Sequence, residues 1–86
     1  MDIGVEISLY PLRTDFSAVI RAFLDRLHAT EGLRVVTNSM STQVFGAYER
    51  VMESVQREMR TTLESLAGTA DRAVLVMKVL GPLPPA

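Results

Sequence analysis

Leu33-Arg34-Val35-Val36-Thr37-Asn38-Ser39-Met40-Ser41-Thr42-Gln43-Val44-Phe45-Gly46 is the stretch whose reading decides the fold. Leu33 to Thr37 is rich in β-branched residues and reads as a strand. Asn38-Ser39 is a turn, and Met40 to Gly46 is the return strand, so the segment is a hairpin. Six of the seven residues from Thr37 to Gln43 are polar, and none is charged. Two explanations of that cluster stay open. Asn and Ser favour turns while Thr and Gln suit exposed strands, which composition alone favours. Uncharged hydroxyls and amides also suit hydrogen bonding to a neutral or weakly cationic guest.

Upstream of the hairpin, Ile3, Val5, Ile7 and Leu9 alternate with Gly4, Glu6, Ser8 and Tyr10, the period of a strand with one buried face. Pro11 is expected to end it. Thr14 or Asp15 offers an N-cap to a helix whose apolar stripe is Phe16, Val19, Ile20, Phe23, Leu24 and Leu27. Arg21, Asp25 and Arg26 fall off that stripe, and Gly32 is read as the stop. Downstream, Tyr48, Val51, Met52, Val55, Met59, Leu63 and Leu66 predict a second helix from about Tyr48 to Leu66, closed by Gly68. Arg72 to Leu80 alternates again. Leu75, Met77 and Val79 lie on one face, with Val74, Val76 and Lys78 on the other. Residues 81–86, Gly-Pro-Leu-Pro-Pro-Ala, are expected to form an extended tail outside a single domain of residues 1–80.

Strand, helix, strand, strand, helix, strand implies an α+β, ferredoxin-like βαββαβ sandwich. Two crossovers interleave, and both helices cover one face of a four-stranded antiparallel sheet. The other face is left bare. It carries Glu6, Ser8, Tyr10, Val36, Val74, Val76 and Lys78, joined, depending on register, by Ser41, Gln43 and Phe45. Valines and aromatics on an open face predict self-association, face to face or edge to edge.

Composition narrows the function. The chain has 86 residues, 48% of them hydrophobic, a net charge of −1 and no cysteine. That is one small domain with neither disulfide nor thiolate chemistry. Nucleic-acid binding is disfavoured, because Lys and Arg are scattered rather than gathered on a basic face. No apolar run approaches the roughly 20 residues of a membrane span. The start, Met1-Asp2-Ile3-Gly4, does not read as a signal peptide, and the expected location is cytoplasmic.

With these elements placed, Ile7-Ser8-Leu9-Tyr10-Pro11-Leu12, Gly32-Leu33, Asn38 to Gly46 and Val74-Leu75-Val76-Met77-Lys78-Val79 together resemble the small thiamine-binding proteins of the YkoF-like superfamily. The resemblance runs from about residue 3 to residue 80, and Asn38 to Gly46 is its most specific part. It implies non-enzymatic binding of thiamine or its hydroxymethylpyrimidine moiety, as carrier, buffer or sensor, without a further cofactor. It also implies a homodimer or homotetramer assembled through the sheet. Carried over residue by residue, it assigns ligand binding to Asn38, Ser39, Ser41 and Thr42, with Ser8 and Tyr10 facing the same pocket. The chain departs from the family after Gly46: an acidic residue is frequent there, whereas this sequence has Ala47, and the nearest carboxylate is Glu49.

The chemistry is compatible. An aminopyrimidine needs neutral donors and acceptors, and a thiazolium needs an aromatic face or a carboxylate. Tyr10, Phe45 and Glu6 are candidates for the cation. Each also has a plain role: interface residue, packing residue, and partner of Lys78 across neighbouring strands. An oligomeric interaction domain without a metabolite is the alternative function. His28 is expected to be a solvated or half-buried helix residue, since one imidazole builds no metal site. A Ser8 or Ser41 nucleophile with Lys78 is conceivable but weakly motivated. Met40, Met52, Met59 and Met77 fit core positions. Glu49, Arg50, Glu53, Arg57, Glu58 and Arg60 read as the solvated face of the second helix.

Overall fold

The structure, a computed structural model, describes residues 1–12 and 17–84. The elements are β1 (Asp2–Leu12), α1 (Ser17–His28), β2 (Arg34–Thr37), β3 (Thr42–Ala47), α2 (Tyr48–Leu66) and β4 (Arg72–Leu83). The strands form one sheet in the order β2-β3-β1-β4, every neighbouring pair antiparallel, which is the predicted ferredoxin-like arrangement. The expected cap at Thr14 or Asp15, the stripe residue Phe16, and the tail residues Pro85 and Ala86 lie outside the described residues.

The core forms where the alternation of β1 meets the helix stripes. Ile3, Val5 and Ile7 of β1, Val44 of β3, Phe23 and Leu27 of α1, and Val51 and Val55 of α2 are buried together. Leu75 and Met77 of β4 pack against them from the edge, whereas Val79, expected on the same face, is half exposed because β4 is the outermost strand. Met52, Met59 and Met77 border the core as expected, but Met40 sits in the hairpin turn and is 83% exposed. Tyr48 and Leu63 of the α2 stripe are also exposed.

Both prolines read as strand breakers lie within strands. β1 continues through Pro11, which pairs with Ala73, to Leu12. Beyond Ile7 it has no neighbour on the β3 side, and an edge is where a sheet tolerates a residue without an amide proton. β4 continues through Pro82 to Leu83, so the sheet extends past the expected boundary at residue 80. Gly4 pairs with Leu80 and Asp2 with Leu83, leaving Gly81-Pro82 in a bulge opposite Ile3, again a position that needs no ladder donor. A Cβ on Gly81 would lie 2.8 Å from Ile3 Cγ2, so glycine lets the bulge close onto β1.

α1 ends earlier than expected, at His28. The Thr30 hydroxyl donates to the Arg26 carbonyl, and Gly32 takes its positive φ of 81° in the following turn rather than as the helix stop. Gly68 does follow α2 with a positive φ, as predicted. The solvated-face assignment fails at Glu58, which is only 4% exposed. It faces α1, accepts from Arg26 Nε at 3.2 Å and is also contacted by Arg57 Nε at 3.4 Å. Arg26 further donates to the buried Thr62 hydroxyl at 2.8 Å. Ser54, Glu58 and Thr62 thus form a buried polar row along α2 at four-residue spacing, neutralised from α1.

Candidate functional site

The hairpin turn and the half of β1 that β3 leaves uncovered build a groove. β3 pairs with β1 only as far as Ile7↔Thr42. Ser8, Leu9 and Tyr10 therefore stay paired with β4 alone and leave their β3 side open beside the turn, while Ile20, Phe23 and Leu24 of α1 close the apolar side. The groove holds about 290 Å³, and all six residues proposed from sequence, Ser8, Tyr10, Asn38, Ser39, Ser41 and Thr42, line it. Among the described residues that line it, none is charged. Sequence reasoning had placed Phe23 and Leu24 only in the core. The signal for their second role is that they sit on α1 beside the point where β3 stops pairing with β1.

The six side chains do not play equal parts. Asn38 Oδ1 accepts from the amides of Met40 (2.8 Å) and Ser41 (3.1 Å), so this atom shapes the turn. Ser41 Oγ donates to Glu6 Oε2 at 3.1 Å. Thr42, paired with Ile7, faces the helix layer and is only 4% exposed. Its Oγ1 lies 3.0 Å from Thr37 Oγ1, which lies 2.9 Å from His28 Nε2. Ser8 and Tyr10 stand on the opposite, open sheet face, and Ser39 stands in the exposed turn. Ser8, Tyr10 and Ser39 have no side-chain hydrogen bond among the described residues. The backbone-bending explanation of the polar cluster therefore accounts for Asn38, but not for the hydroxyl residues that border the groove from both faces of the sheet.

The cation candidates separate by register. Glu6 sits opposite Lys78, whose Nζ lies 3.8 Å from Glu6 Oε1. The same carboxylate holds Ser41, so Glu6 joins the rim of the groove to the open face. This bridge also bears on the Ser–Lys idea, because the Lys78 amine reaches a carboxylate and not a serine. Phe45 pairs with Gly4 and Arg34, and the Arg34 guanidinium stacks 4.1 Å over its ring. A cation already occupies that face. Tyr10 is the aromatic ring at the groove itself, and it is 52% exposed.

Ala47 proves to be the N-cap of α2, with no side-chain hydrogen bond to the helix amides. It lies five residues along β3 from Thr42, about 17 Å at strand rise, so a carboxylate there would serve the helix end and not the groove.

Fold and groove together define a class: a ferredoxin-like domain with an uncharged, hydroxyl-rich notch at the end of its central hairpin. The thiamine-binding protein family model matches residues 5–80, and the chain belongs to that family. No curated protein matches the sequence. Among solved structures, a proposed thiamine biosynthesis/salvage protein of Thermotoga maritima superposes with a TM-score of 0.76 at 23% identity, covering 92% of this chain and 82% of its own. A protein from Streptococcus pneumoniae gives a TM-score of 0.83 at 15% identity, covering 96% and 89%. A hypothetical protein from Methanocaldococcus jannascii gives 0.76 at 20%, covering 99% and 84%. At these identities the structural likenesses establish the fold alone.

Proposed function

We propose that this protein binds thiamine or its hydroxymethylpyrimidine moiety in the groove between β1 and the hairpin turn, without chemical conversion, as a carrier, buffer or sensor. The observation that carries this is that Ser8, Tyr10, Asn38, Ser39, Ser41 and Thr42 all border one notch with no charged residue among its described lining. Membership of the thiamine-binding family supports the ligand class. The volume of about 290 Å³ is at the lower end for ligand pockets, which span about 300–1,000 Å³. It suits a single ring better than both, so the aminopyrimidine enters the groove. The thiazolium then lies outward against Tyr10, with Glu6 beyond Ser41 as the nearest rim carboxylate.

The same proposal includes self-association through the open sheet face. Tyr10, Val36, Val74, Val76 and Leu80 are exposed there, with Tyr10 and Val74 paired directly across β1 and β4. A cytoplasmic location is part of the reading; among the described residues no helix is long and apolar enough to cross a membrane.

Calorimetry with thiamine and with hydroxymethylpyrimidine tests the ligand. Binding of both, with Thr42→Val and Ser8→Ala each weakening it by about 1–3 kcal/mol, is the expected result. Absence of heat at millimolar ligand would leave the interaction domain as the better reading.

A further inference from the structure

The sole histidine of the chain ends a file of hydrogen bonds that enters the groove. His28 Nε2 is 2.9 Å from Thr37 Oγ1, which is 3.0 Å from Thr42 Oγ1, and Thr42 is a buried residue of the groove wall. Each threonine hydroxyl has one proton, so the three groups cannot orient independently.

We infer that His28, acting through Thr37, sets whether Thr42 offers the groove an acceptor or a donor, so that the neutral ring admits a guest with an amino group at that point and the protonated ring favours a guest with an oxo group. With Nε2 unprotonated, Thr37 donates to His28 and Thr42 donates to Thr37. The lone pairs of Thr42 then face the groove and receive an amino group. With both ring nitrogens protonated, Nε2 donates to Thr37, Thr37 donates to Thr42, and the Thr42 proton is left pointing at the guest. The neutral ring reaches either arrangement by its choice of tautomer. The imidazolium has no acceptor and permits only the second.

The surroundings leave this switch to His28. The charged residues that line the same α1 surface are Arg21 and Asp25, opposite in sign. β2, which meets His28 through Thr37, has Arg34 as its charged residue, and that side chain is stacked on Phe45 on the other side of the sheet. His28 is therefore a positioning residue, one that acts on the guest through two hydroxyls.

The inference rests on the groove being the ligand site, and two arms keep the failures apart. In the ligand arm, affinities for thiamine and for its analogue with an oxo group in place of the amino group are measured from pH 8 to pH 5, for the wild type and for His28→Phe. The amino guest requires neutral His28, so its affinity relative to the oxo guest falls on acidification. The expected fall is about fivefold or more. The guests' own titrations are common to both proteins, and His28→Phe removes the extra dependence. Identical pH profiles in both proteins would overturn the inference. In the ligand-free arm, nitrogen NMR of the His28 ring compares the wild type with Thr42→Val, a shape-conserving change two bonds down the file. A changed tautomer ratio supports the relay, and an unchanged ratio refutes it. If neither guest binds while the tautomer ratio responds, the ligand assignment fails and the relay stands.

Discussion

Two residues show how little sequence carries much of this geometry. Gly4 lies opposite Phe45, and a Cβ built on it would come within 2.9 Å of Phe45 Cε1. The ring therefore lies flat across the glycine with Arg34 stacked on its outer face, so a residue on the open side of the sheet is nevertheless partly buried. Gly4→Val should displace the ring and cost about 2 kcal/mol, within the usual range for overpacking, as read by urea denaturation. Arg26 is the second case. It supplies the cross-helix partner of a carboxylate whose side chain is only 6% exposed. Arg26→Met should destabilise the fold by about 2 kcal/mol, since Glu58 would keep only Arg57. Glu58→Gln in the same background should recover part of that loss by removing the unpaired charge. Neither role was legible beforehand. The charge spacing on α2 describes a solvated face equally well, and the group that reverses the reading is on another helix.

At the scale of elements, legibility follows where the competing signals lie. The approximate bounds read for α2 match the structure because its stripe, its length and Gly68 all agree. The ends of β1 and β4 were misplaced because proline is a strand breaker only in a strand flanked on both sides. Edge position and bulge position depend on pairing, which one-dimensional pattern does not contain. Asn38, Ser39, Ser41 and Thr42 were legible as a polar cluster in sequence, whereas their assignment to a ligand, and that of the distant Ser8 and Tyr10, came from the family resemblance. That the turn would curl beside the half of β1 that β3 leaves uncovered follows only from the Ile7↔Thr42 register. α2 also carries a prediction of its own. Its N-cap, Ala47, gives the helix no side-chain acceptor, and the Tyr48 amide is satisfied by the Met1 carbonyl at 2.9 Å. Ala47→Asp should stabilise the protein by about 1 kcal/mol in thermal or chemical unfolding, through the capping bond and the helix dipole. Ligand affinity should be unchanged, because this end of β3 lies away from the groove.

For the whole molecule, one face of the sheet meets the helices and the other is left uncovered by the described residues. A domain of 86 residues gains little from such a face unless it is covered. Tyr10, Val74 and Val76 line its groove end, while Leu80 and the Arg34-stacked Phe45 line the far end. Covering it with a second copy would place the rims of two grooves near one interface. Val76→Lys should shift the sedimentation coefficient towards the monomer at micromolar concentration without altering circular dichroism. An unchanged oligomer would move the contact away from this face.

The most direct measurement is amide NMR of the ligand-free protein titrated with thiamine. Saturable shifts should concentrate at Ser8 to Tyr10 and at Asn38 to Thr42, with those at Ala47 and the start of α2 negligible. Shifts confined to the Phe45–Leu80 end of the sheet, or none at millimolar thiamine, would contradict the assignment of the groove.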